Sequence, residues 1–96
     1  MARRQYMIAY DISDDKRRTR VFKMLMGQGD HVQYSVFLCA LTAQELVAAR
    51  YTLGEIIHER EDQVIIVDLG RSDDENEPLI ECLGKVYNPT TRVRIV

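Results

Sequence analysis

Tyr6-Met7-Ile8-Ala9-Tyr10-Asp11-Ile12-Ser13-Asp14-Asp15-Lys16-Arg17-Arg18-Thr19-Arg20 joins an apolar run to a run of charges. Tyr6, Ile8 and Tyr10 alternate with Met7, Ala9 and Asp11, the period of a β-strand. Both sets are mostly apolar, which predicts a central strand covered on two sides. The strand stops at a carboxylate, Asp11, and Ile12-Ser13 turns the chain into a helix. Ser13 is expected to cap that helix, with Asp14 and Asp15 at the positive end of its dipole. Over residues 14–27, Val21, Phe22, Leu25 and Met26 recur at helical spacing, while Lys16, Arg20 and Lys23 make a cationic stripe on another face. Gly27 and Gly29 end the helix. A lone acid at a strand end, facing a helix dense in cations, suggests a site that handles phosphates, with or without a metal.

Beyond that corner, residues 31–41 alternate in β fashion but are long for one strand, so two short strands or one bent at Tyr34-Ser35 are expected. Thr42-x-x-Glu45 is a capping box opening a helix whose apolar stripe is Leu46, Ala49, Leu53, Ile56 and Ile57. Gly54 within it costs roughly 1 kcal/mol against Ala. Val64-Ile65-Ile66-Val67 is a β-branched run typical of a buried strand, ending at Asp68. Residues 71–78 form an acidic loop, Leu79 to Leu83 one helical turn, and Arg92-Val93-Arg94-Ile95-Val96 a last strand. The order predicts an α+β, ferredoxin-like βαββαβ sandwich with an additional C-terminal strand. Residues 1–70 would be the core and 71–96 the acidic loop and final strand of the same single domain. In that topology the first strand lies between the third and fourth, antiparallel to both. Asp11 then falls near Ser35, Phe37 and Gln63, and Asp68 at the opposite edge, so the two acids do not share a metal.

Ninety-six residues, 46% hydrophobic and 29% charged, fit one ordinary globular domain. No apolar run approaches the ~20 residues that span a bilayer, and the one before Asp11 is too short for a secretory signal. The cytoplasm is therefore the expected compartment. Cys39 and Cys82 lack metal-ligand spacing and read as reduced thiols. The net charge of −2 is unevenly placed. Residues 1–23 hold seven Lys/Arg against three Asp, residues 24–84 three Arg against twelve acids, and residues 85–96 three cations and no acid. Such segregation can set a basic face on an acidic body and steer a polyanion; the plainer alternative is a solvated helix face. No P-loop, dinucleotide fingerprint, zinc spacing or helix-turn-helix pattern is present.

One carboxylate is the least a Mg²⁺ site takes, which has one or two plus waters and substrate phosphate. A second Asp11 from a twofold-related subunit would supply the other, although Asp11 may also do no more than end its strand. Asp14 and Asp15 are supporting ligands or dipole partners. Arg17, Arg18 and Arg20 either clamp phosphates in their bidentate geometry or coat a solvated surface. His31 is a candidate acid, base or phosphate contact, or incidental. Ser35 has no nucleophile-elbow context.

Tyr10-Asp11-Ile12-Ser13-Asp14-Asp15, then Arg18-x-Arg20-Val21, then Gln33-x-Ser35-Val36-Phe37 after a Gly-ended helix, resembles the small CRISPR-associated proteins of the Cas-two family. The similarity covers nearly the whole chain and is weakest after Gly70. It implies a ferredoxin-like homodimer that helps acquire spacers, bridging integrase dimers that hold foreign DNA. It also implies Mg²⁺ or Mn²⁺ between two copies of Asp11, with a CRISPR integrase subunit and DNA or RNA as partners and no membrane. By the same resemblance Asp11 is metal ligand and catalytic residue. Tyr10, Arg18, Arg20 and Phe37 are supporting or substrate-binding, and His31 stands where some nuclease-active members have Arg. The last strand would pair with the partner's sheet. Two readings follow: a metal-dependent endonuclease on RNA or double-stranded DNA, or a non-catalytic DNA-binding bridge. A toxin-like mRNA-cleaving relative shares the fold.

Overall fold

The computed structural model describes residues 2–72 and Leu83. Its elements are β1 (Arg3–Asp11), α1 (Asp15–Met26), β2 (Gly29–Gln33), β3 (Val36–Leu41), α2 (Ala43–Ile56) and β4 (Gln63–Ser72). The four strands form one sheet in the order β2-β3-β1-β4, antiparallel throughout. This is the expected α+β, ferredoxin-like layout, with β1 between β3 and β4. Asp11 pairs with Gln63, and the Tyr10 N–H donates to the Ser35 carbonyl at 3.1 Å. Residues 31–41 do break at Tyr34-Ser35, into the facing strands β2 and β3.

Both helices lie on one face of the sheet. The core joins Tyr6, Ile8 and Tyr10 of β1, Phe37, Cys39 and Leu41 of β3, Val21 and Leu25 of α1, and Ala49, Leu53 and Ile56 of α2. Ile12, just past β1, is buried with them and pins the turn after Asp11. Cys39 is a free thiol in this core, pushed up to about 11 by burial. The α2 capping box is formed: Glu45 N–H donates to Thr42 Oγ1 at 3.1 Å, and Thr42 N–H donates to the Glu45 carboxylate at 2.9 Å.

Three expectations change. First, α1 is capped by Asp14, not Ser13: Asp14 has extended backbone, and its carboxylate accepts from the Arg17 N–H at 2.9 Å. Second, β4 does not stop at Asp68 but continues to Ser72, through a register shift opposite Gln5/Tyr6 and Gly70 at φ 102°. A left-handed residue lets the strand absorb the extra residue of a bulge and go on pairing. Asp68, paired with Tyr6, is five residues along β1 from Asp11, about 16 Å at strand rise. Third, β1 is covered on one side only by the described elements. The other face carries Met7, Ala9 and Asp11 on β1 opposite Val67, Ile65 and Gln63 on β4. Ile65 and Val67 there are 46% and 37% exposed, and Leu69, the extra residue at the register shift, is 47% exposed. The helical turn expected over residues 79–83, of which Leu83 alone is described, lies otherwise outside the described residues, as do Cys82, the final strand and the acidic stretch from residue 73 on. Among the described residues no helix is long and apolar enough to cross a membrane.

Candidate nucleic-acid site at the end of β1

Asp11 is exposed at the last position of β1, and its carboxylate has no hydrogen bond or ion pair among the described residues. Every other acid near it is engaged. Asp14 caps α1. Asp15 pairs with Arg18 at i, i+3. Asp62, whose side chain has no accessible surface, receives Arg17 Nε at 2.7 Å and the His58 N–H at 2.8 Å. The Arg17 guanidinium holds the Asp62 carboxyl below the ordinary range against the cost of burial, with the backbone N–H groups of His58 and Ser13 adding to it. Asp62 thereby ties the turn after Asp11 to the loop before β4.

The three arginines that neighbour one another in sequence have three fates. Arg17 spends its fork on Asp62 and on Glu61 at 3.2 Å, so it is a structural clip and not the phosphate clamp its place in the cationic run suggested. Arg18 folds back over the turn, donating to the Ile12 carbonyl at 2.9 Å and the Ser13 carbonyl at 3.5 Å while pairing with Asp15. It braces the two residues that follow Asp11. Arg20 is exposed and, like Lys16 and Lys23, has no hydrogen bond or ion pair among the described residues. These three leave the positive charge of α1 available to a ligand.

Beside this turn is a cluster of rings. His31 stacks on Phe37 with centroids 4.8 Å apart, Phe22 meets His31 edge-on at 5.1 Å, and Tyr10 lies over Phe37 at 6.4 Å. His31 Nε2 is 3.4 Å from the Tyr34 carbonyl. Phe37 is fully buried and reaches a ligand only through the rings around it. The Tyr10 hydroxyl is raised above its ordinary pKa by burial, reinforced by Tyr34 and opposed by Arg18. Tyr34 itself is 75% exposed. Sequence reasoning passed over Asp62, Phe22 and Tyr34 as site residues: Asp62 gave no signal, Phe22 read as core and Tyr34 only as a bend. An aromatic in a two-residue turn was the available clue.

Among the described residues, no group of three or more His, Cys, Asp or Glu side chains is placed to hold a metal. The donor present, the free Asp11 carboxylate, is of the oxygen type that a hard cation takes and is the residue that would hold one. Residues 4–77 match the family model described as CRISPR associated protein Cas2. The chain is 37% identical over 95 residues to a protein of Rhodospirillum rubrum named CRISPR-associated endoribonuclease Cas2 1, covering 99% of this chain and 92% of that one. It is 33% identical over 91 residues to a Geobacter sulfurreducens protein named CRISPR-associated endoribonuclease Cas2, covering 95% of each. A crystal structure of a hypothetical protein from Thermus thermophilus superposes with a TM-score of 0.76 at 32% identity, over 91% of this chain and 98% of that one.

Proposed function

This chain belongs to the CRISPR-associated Cas2 family, and we propose that it serves CRISPR adaptation as a cytoplasmic homodimer that binds nucleic acid and cleaves phosphodiesters at a pair of Asp11 carboxylates. The solitude of Asp11 carries this reading. It is the one carboxylate at the end of β1 left without a partner among the described residues, and a hard cation such as Mg²⁺ takes one or two from a protein. The open face of the sheet gives the pair a way to form. A second copy laid on Met7, Ala9, Ile65 and Val67 would bury apolar surface that is exposed among the described residues, and Asp11 shares that face. A twofold axis presents the same residue twice.

Mg²⁺ or Mn²⁺ at the paired carboxylates would supply an activated water and neutralise charge on the phosphate. The chain's own residues do the rest. Arg18 holds the Ile12 and Ser13 carbonyls and so fixes the backbone that aims Asp11. Lys16, Arg20 and Lys23 attract phosphates regardless of sequence, in a salt-dependent way. The integrase subunit of the same system is the protein partner this reading requires. The relatives' name, endoribonuclease, makes RNA the first substrate to try, with duplex DNA second.

Cleavage of single-stranded RNA and duplex DNA with Mg²⁺ or Mn²⁺, by wild type and by Asp11→Ala, tests it. We expect cleavage by wild type to fall by about a hundredfold or more in the variant, the scale on which a principal charge-stabilising group is felt. Undiminished cleavage by Asp11→Ala overturns the assignment. Salt-dependent binding with no cleavage by either protein selects a second reading, the non-catalytic bridge. The three cations of α1 that are unpaired among the described residues favour that reading, since holding phosphates needs no metal.

A further inference from the structure

We propose that the recess between α1 and the β2–β3 turn is a nucleobase pocket, taking one unstacked base of a single strand whose backbone passes Asp11. The recess has a volume of about 210 Å³ and is lined by Tyr10, Arg18, Thr19, Phe22, His31 and Tyr34. Four of those six side chains are flat rings. His31 and Phe22 cannot turn freely, because His31 is stacked on buried Phe37 and Phe22 meets both rings edge-on, at 5.1 and 5.7 Å. Fixed π surfaces of this kind receive a base at little ordering cost, and every base has a π face.

Tyr34 is the ring that core packing does not explain. It is 75% exposed, makes no ring contact with the cluster beneath it, and stands at a turn where a small polar residue would serve. A base entering the recess would be covered by it. Three of the lining residues carry polar groups that can meet the edge of a base, Tyr10, Thr19 and Arg18. The position fits the rest of the site, because Tyr10 is the chain neighbour of Asp11 and its N–H is bonded to Ser35, the residue after Tyr34. A nucleotide with its base in the recess has its phosphate directed toward the end of β1. Paired bases inside a duplex cannot enter, so the pocket selects single strands or unpaired ends. The inference rests on the reading that the end of β1 handles phosphodiesters.

The chain has no tryptophan, so Tyr34→Trp introduces a single tryptophan at the mouth of the recess, which is excited selectively over the remaining tyrosines. With Ca²⁺ replacing Mg²⁺, the variant is titrated with a short single-stranded oligonucleotide, the same backbone without bases, and a duplex. Binding of each to wild type and Tyr34→Ala is measured in parallel. Quenching by the base-bearing strand alone, with single-strand affinity about 5- to 100-fold weaker in Tyr34→Ala and duplex affinity unchanged, is the expected result for loss of one base stack. Equal binding of the abasic strand, or unchanged affinity in Tyr34→Ala, overturns the pocket. If Asp11-dependent cleavage persists in that case, the proposed function stands without it. A Tyr34 effect without Asp11-dependent cleavage keeps the pocket and removes the nuclease. No binding of any nucleic acid removes both. Because Tyr34 is exposed, an unchanged circular dichroism spectrum suffices to show that Tyr34→Ala is folded.

Discussion

Two glycines show what a single residue can and cannot disclose from sequence. Gly54 sits inside α2 in open space, with nothing within 4 Å of where a Cβ would go. Its cost is a helix-propensity cost, legible before any fold was known. We therefore expect Gly54→Ala to raise stability by about 0.5–1 kcal/mol in urea unfolding. Gly29 is the opposite case. The spacing marks it only as the end of a helix, yet a Cβ there would lie 2.2 Å from the Leu38 carbonyl and 2.7 Å from Cys39 Sγ. It starts β2 pressed against β3, so Gly29→Ala is expected to cost about 1–3 kcal/mol in the same measurement, the scale of overpacking a fixed backbone. Nothing local to residue 29 reveals a neighbour that the hairpin brings from ten residues away. The isolation of Asp11 was hidden in the same sense: its position was legible, but the engagement of Asp14, Asp15 and Asp62 elsewhere was not.

At the scale of elements, periodicity and caps carried most of the information. The Thr42/Glu45 box opens α2 as expected, and the alternation in β1 places Tyr6, Ile8 and Tyr10 on the core face. Adjacent cations looked alike in the chain because partners from distant elements decide their roles. Arg17 meets Asp62 across 45 residues, while Arg20 meets none of the described residues. The Arg17–Asp62 tie has a pH signature. Since the folded state lowers the Asp62 pKa, its stabilisation is present above the unfolded value and is lost as pH falls through the folded one. Asp62→Asn should therefore melt at a lower temperature than wild type at neutral pH. The difference should shrink below about pH 4, where Asp62 of the unfolded chain begins to protonate, and vanish once pH falls past the lower folded-state value. Thermal melts across that range check it; a gap that widens in acid contradicts the assignment. The end of β4 escaped prediction because Gly70 and the charged residues after it carry the marks of a loop, and the pairing with Arg3 and Arg4 that extends the strand is non-local.

Taken together, the described residues make one well-filled layer boundary and leave the other face of the sheet without a covering layer of their own. Among the described residues, helices seal one face of the sheet, whereas Ile65 and Val67 on the other face are apolar and exposed. If that face joins two copies, a charge at its centre should part them. Val67→Asp is expected to sediment as a folded monomer under conditions where wild type is dimeric, and to lose cleavage although Asp11 is intact. A dimer that survives Val67→Asp would place the interface elsewhere. The lone carboxylate at the margin of this face also has a genetic consequence. A protomer that owns only half of a site can spoil its partner's half. Coexpressed with wild type, Asp11→Ala would then act as a dominant poison, with activity falling as the square of the intact fraction instead of in proportion to it.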